Sequence, residues 1–134
     1  MRTYARRAIL ILVMAAAALA VAACGTSQTT LTMADNGKSL SLKTGDTFKV
    51  TLESNPTTGY SWSVVDDAGG AVQQQGQAAY TAASKTPVAG GGGTETLTFK
   101  AVKSGSGTLT LGYARPFEKG VPPTKTFTQK VTVQ

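Results

Sequence analysis

Period-two hydrophobicity, closely spaced turn signals and the lack of any apolar stripe at helical spacing after residue 24 predict an all-β protein. In roughly 100 residues these signals fit an immunoglobulin-like antiparallel β-sandwich of about seven strands, with a partly closed barrel as the alternative. The sequence has a single cysteine, so no intersheet disulfide forms and the core must rest on packing.

The first segment stands apart from this pattern. "MRTYARR" carries three arginines, "AILILVMAAAALA" is apolar, and "VAAC" ends in small residues before Cys24. Basic, apolar and small segments in that order are the signature of a secretory signal over residues 1–23. An apolar run of about 13 residues is short for a bilayer span, which needs roughly 17–25. The end of the segment resembles a bacterial lipobox, with Val21 where leucine is commonest. That resemblance implies lipid on Cys24 and a chain tethered to the membrane of a bacterial cell envelope on its exported side. Ordinary cleavage nearby is the alternative, and it would leave Cys24 a free thiol in an oxidising compartment. Residues 24–28 read as the tether and 29–134 as one domain.

Three of the 13 basic residues lie in the signal, so the remainder faces seven acidic residues and carries a net charge of +3. Its nine lysines are scattered, which gives no basis for nucleic-acid binding.

Within the domain the strands follow in order. "TTLTM" and "KSLSL" flank "DNG" at 35–37, a strong hairpin signal because Asn and Gly tolerate the positive φ of a tight turn. Phe48, Val50 and Leu52 alternate with Thr47, Lys49, Thr51 and Glu53. Tyr60, Trp62 and Val64 alternate with Ser61 and Ser63. Leu97, Phe99 and Ala101, then Leu109, Leu111 and Tyr113, then Phe127, Val131 and Val133 continue the pattern. "KTGD" at 43–46 and "KSGSG" at 103–107 break strands. Trp62 and the aromatic residues at 48, 60, 99, 113 and 127 are the expected large pieces of the core. Residues 66–93, rich in Gly, Ala and Gln, are expected to hold one weak strand within 71–81 and a mobile loop ending in glycines.

Catalytic chemistry is largely excluded. The sequence has no histidine, which removes Ser-His-Asp and Cys-His catalysis and most zinc sites. Asp66 and Asp67 are neighbours in an extended segment and point opposite ways. Nothing orients Lys85 beside Ser84. The chain is therefore expected to bind rather than catalyse, with no cofactor and no metal.

Three stretches exceed what turns require. "NPTTG", Asn55 to Gly59, joins two strands through a proline that fixes φ and a glycine that permits unusual backbone, with Tyr60 beside it. "GGGG", Gly90, Gly91, Gly92 and Gly93, precedes a clear strand. "RPF", Arg115, Pro116 and Phe117, places two residue types enriched at binding hot spots around a stiff proline.

In this order, each at a strand boundary, the three motifs resemble those of the chagasin family of cysteine protease inhibitors, NPTTG, GxGG and RPW. Phe117 stands where that family usually has tryptophan. The resemblance implies a monomeric, tight-binding, reversible inhibitor whose three loops gather at one end and enter the cleft of a papain-like cysteine protease. Thr57 and Thr58 would lie across the catalytic cysteine, Gly90 to Gly93 along the substrate cleft, and Arg115 to Phe117 on the opposite wall. A non-inhibitory envelope or adhesion module, with loops that only close the fold, is the alternative.

Overall fold

The computed structural model describes residues 28–85 and 91–134. The signal segment, Cys24 and Gly90 lie outside the described residues. Among the described residues nine strands form two sheets: β1 Thr29–Leu31, β2 Ser39–Leu42, β3 Thr47–Ser54, β4 Ser61–Asp67, β5 Val72–Gln74, β6 Ala79–Ala82, β7 Gly93–Ala101, β8 Gly105–Ala114 and β9 Lys125–Val133. One sheet runs β1-β3-β7-β5, with β6 also paired to β7; the other runs β2-β9-β8-β4.

The core is the inward half of each alternation. Phe48, Val50 and Leu52 of β3 and Leu97, Phe99 and Ala101 of β7 face Leu109, Leu111 and Tyr113 of β8 and Phe127, Val131 and Val133 of β9, all buried. Phe48 and Phe99 are register partners in β3 and β7, and their rings stack at 5.3 Å. Each such ring removes a large apolar area from water, which compensates for the missing disulfide. The aromatic residues at 48, 99, 113 and 127 and Trp62 are buried as expected, while Tyr60 is half-buried at the rim and precedes β4 rather than opening it.

Three details depart from expectation. The "DNG" stretch does not make a hairpin. Met33–Asp35 form a 3-10 turn closed by a capping box, in which the Thr32 side chain and Asp35 each accept a backbone N–H of the other end. Asn36 has φ −55°, and its Oδ1 accepts the Thr128 N–H at 2.8 Å, so the segment docks on β9. The chain thereby crosses between sheets: β1 pairs parallel with β3 and β2 parallel with β9, in a sandwich whose other pairings are antiparallel. The glycine-rich region holds two short strands, β5 and β6, instead of one.

Candidate functional site

β3 ends at Ser54 and β4 begins at Ser61; the first motif spans the gap. Pro56–Thr58 make one 3-10 turn with the proline in its first turn, where the absent N–H costs nothing. Asn55 organises it. Its carbonyl accepts the Thr58 N–H at 3.2 Å and the Thr58 hydroxyl at 2.6 Å, and its Oδ1 accepts the Thr57 hydroxyl at 2.5 Å. Gly59 donates to the Pro56 carbonyl at 3.0 Å and leaves the turn at φ 80°, the left-handed conformation glycine adopts without penalty. Pro56, Thr57 and Thr58 are exposed at the tip.

The stem of this loop is braced from the core. The Asn55 N–H donates to the Tyr113 phenol oxygen at 2.8 Å, and the Trp62 indole donates to the Glu53 carbonyl at 2.9 Å. Tyr113 stacks against both Tyr60 and Trp62, at 5.2 and 5.1 Å. Glu95 is buried in β7 between the sheets, accepting the Ser54 hydroxyl and the Trp62 N–H, both at 2.8 Å.

The third motif packs onto the first. Arg115, just past β8, donates from Nε to the Thr58 carbonyl at 2.9 Å, pairs with Glu118 at 2.9 Å, and lies 4.6 Å above the Tyr60 ring. Hydrogen bonding to Glu118 raises the guanidinium pKa further above its ordinary value. The Phe117 ring is 70% exposed, yet its edge abuts Gly59: a Cβ there would sit 3.0 Å from Cε1. Residues 55–59 and 115–118 are thus one surface.

The glycine segment lies alongside. Gly93 is the register partner of Ser54 on one side and Ala82 on the other. A Cβ on Gly93 would fall 2.7 Å from the Tyr80 hydroxyl and closer still to the Thr81 carbonyl, so bare backbone at 93 is required by the approach of β6. Gly92 is exposed beside the first loop, and its carbonyl accepts the Ala83 N–H at 3.1 Å. The structure therefore brings Asn55 to Tyr60, Gly91 to Gly93 and Arg115 to Phe117 to one end of the sandwich.

Among the described residues no group of His, Cys, Asp or Glu is placed to hold a metal. Asp66 and Asp67 instead accept the N–H groups of Gly69 and Gly70 in a turn at the opposite end. The sequence reading missed Glu95, Glu118 and the phenol of Tyr113. Glu95 had a signal: it occupies the inward position of Glu95-Leu97-Phe99-Ala101, where a carboxylate must be paired.

The profile of the Chagasin family peptidase inhibitor I42 matches residues 41–131. The chain belongs to the chagasin family of peptidase inhibitors. Amoebiasin-1 of Entamoeba histolytica is 34% identical over 105 residues, covering 78% of this chain and 98% of that protein. Chagasin of Trypanosoma cruzi is 30% identical over 92 residues, 65% of this chain and 81% of its own. The crystal structure of the cysteine protease inhibitor EhICP2 from Entamoeba histolytica superposes with a TM-score of 0.66 at 29% identity, over 79% of this chain and 95% of that one. The solution structure of Amebosin gives 0.65 at 32% identity, over 80% and 98%. The chagasin-family chain is thus an inhibitor rather than an enzyme, and its work is binding.

Proposed function

We propose that the protein is a tight-binding, reversible inhibitor of papain-like cysteine proteases and that the end built from Asn55 to Tyr60, Gly91 to Gly93 and Arg115 to Phe117 is the part inserted into the active-site cleft. The observation that carries this reading is the fusion of the first and third motifs, through Arg115 Nε on the Thr58 carbonyl and Phe117 against Gly59. A preformed edge loses little conformational freedom on binding, which is how a small contact area reaches high affinity.

The same geometry explains occupancy without cleavage. A substrate carbonyl must come within about 3–3.5 Å of the nucleophile in line for attack, with its oxygen directed to oxyanion donors. In the first loop the carbonyls of Asn55, Pro56 and Thr58 already accept hydrogen bonds from Thr58, Gly59 and Arg115. These peptide bonds are folded into a turn rather than extended, so they do not present themselves to a thiolate. Gly91 and Gly92, continuous with β7, carry no side chain to hold a cleft wall away, so backbone groups other than the Gly92 carbonyl, which accepts the Ala83 N–H, can pair with it in the manner of an added strand.

The N-terminal segment extends this reading: Cys24 carries the lipid, the tether begins there, and a monomeric inhibitor is held at the exported face of a bacterial envelope. Labelled palmitate should enter the wild type and not Cys24→Ala, which should leave the membrane fraction.

The deciding experiment titrates residues 25–134, which hold every described element, against papain and a cathepsin. Nanomolar inhibition, with the intact inhibitor recovered on dissociation, is expected. Micromolar or weaker inhibition of every papain-like enzyme tested would overturn the reading and favour an envelope or adhesion module.

A further inference from the structure

We infer that Glu95 is a positioning residue that keeps the first loop uncleavable, by fixing both of its stems and the base of the glycine segment from one buried carboxylate. This inference rests on the inhibitory reading of the loop and names the group that governs it.

Glu95 belongs to β7 and is 5% exposed. Its Oε1 accepts the hydroxyl of Ser54, the last residue of β3 before Asn55. Its Oε2 accepts the N–H of Trp62, in β4 where the chain re-enters the opposite sheet. One side chain thus sets the separation of the two stems across the gap between sheets, where no ladder hydrogen bond reaches. Glu95 also lies two residues beyond Gly93, itself the register partner of Ser54. Movement of the carboxylate would shift the first loop and the glycine segment together.

The chemistry suits a spacer rather than a packing group. A buried carboxylate is costly and is retained only where its oxygens are hydrogen-bonded. An apolar residue at 95 would fill the space but leave the Trp62 N–H unpaired, and that amide would seek water by opening the loop base. Glutamine keeps both contacts: its carbonyl accepts from Trp62, and its amide donates to the Ser54 hydroxyl, which acts as donor or acceptor.

The test compares purified wild type, Glu95→Gln, Glu95→Met and Ser54→Ala for papain inhibition, for hydrolysis within residues 55–59 by excess papain, and for hydrogen exchange of the Thr58 and Gly59 amides. Glu95→Met should raise Ki at least tenfold, speed exchange at both amides at least tenfold, and turn the loop into a substrate whose cleaved fragments appear by mass spectrometry. Glu95→Gln should stay within threefold of wild type in all three. Ser54→Ala, which keeps the Trp62 contact, should lie between them, and it preserves the test if Glu95→Met does not fold. Intact, equally potent Glu95→Met would overturn the inference, as would Ser54→Ala indistinguishable from wild type in exchange and cleavage. Thermal stability lost in Glu95→Met without loop cleavage or faster loop exchange would also overturn it, leaving Glu95 only a core residue. A wild type that fails to inhibit would sink the inhibitory reading itself, whereas the exchange data judge the positioning role without any protease.

Discussion

Gly59→Ala separates two properties that meet at one atom. Gly59 has φ 80°, and a Cβ added there would lie 3.0 and 3.2 Å from Cε1 and Cζ of Phe117. An L-residue held in the left-handed region costs about 1–2 kcal/mol. For a domain of this size that lowers Tm by about 4–8 °C. The steric part adds little to unfolding, because a ring 70% exposed swings aside by a few tenths of an ångström. Its effect falls on binding, since the displaced aromatic no longer flanks the first loop. A loss of about 1.4 kcal/mol there is a tenfold rise in Ki. The assay is thermal unfolding and papain titration of Gly59→Ala, Phe117→Ala and the double variant. The stability penalties should add to within about 0.5 kcal/mol, while the penalties on inhibition should be coupled. Unchanged Tm and Ki in Gly59→Ala would refute both the left-handed exit and the contact between the loops.

Thr58→Asp, at the exposed tip, should weaken inhibition by about 100-fold, because an interface centre tolerates a buried unpaired charge poorly, while Tm falls only by the few degrees that loss of the hydroxyl's bond to the Asn55 carbonyl entails; weakening no larger than Thr58→Val, which loses the same bond without adding charge, would refute the interface role. Arg115→Lys should raise Ki about as much as Arg115→Ala, since an ammonium cannot donate to Thr58, pair with Glu118 and stack on Tyr60 at once; full activity of the lysine variant would show that charge alone matters. Phe117→Trp should hold or improve Ki, and a large loss would show that the third loop does not meet the protease in the supposed way. The Thr32 N–H, and then Lys38, lower the pKa of Asp35 below its ordinary value of 3.8. A depressed folded-state pKa contributes stability above the unfolded value that is lost as pH falls through the folded one. Tm should therefore fall below pH 3.8 less steeply in Asp35→Asn than in wild type, as unfolding by circular dichroism across pH 2–6 would show.

Alternation made the core legible because a strand has only two faces, and Phe48, Val50, Leu97, Phe99, Leu109 and Leu111 all point inward as their spacing requires. Which strand pairs with which is a non-local matter that spacing does not encode. "DNG" shows why: its side chains suit a tight turn, but Thr32 capping the preceding turn and Asn36 reaching Thr128 send the chain to the other sheet. The site was legible as three motifs and not as one surface. Arg115 reads as a hot-spot residue by type alone, yet three of its contacts lie within its own chain, on Thr58, Glu118 and Tyr60. Its first task is to hold the loop that binds.

The two ends of the sandwich differ in a way that bears on function. At the end opposite the three motifs, the turn side chains that accept backbone N–H groups are exposed: Asp46 from Lys43, Asp66 from Gly69 and Asp67 from Gly70. Exposed caps are the inexpensive solution for a loop that only closes a fold, because water satisfies whatever the side chain does not. At the motif end the stems are held by Tyr113, Trp62 and Glu95, buried residues with polar atoms that had to be desolvated. Desolvation of that kind costs stability unless each atom is paired, and aliphatic residues would have served closure equally well. Buried polar anchors are therefore spent where the backbone must keep one shape against solvent and partner. That asymmetry singles out the loop of Asn55 to Gly59 as a part selected for its geometry, with closure of the sandwich as a by-product.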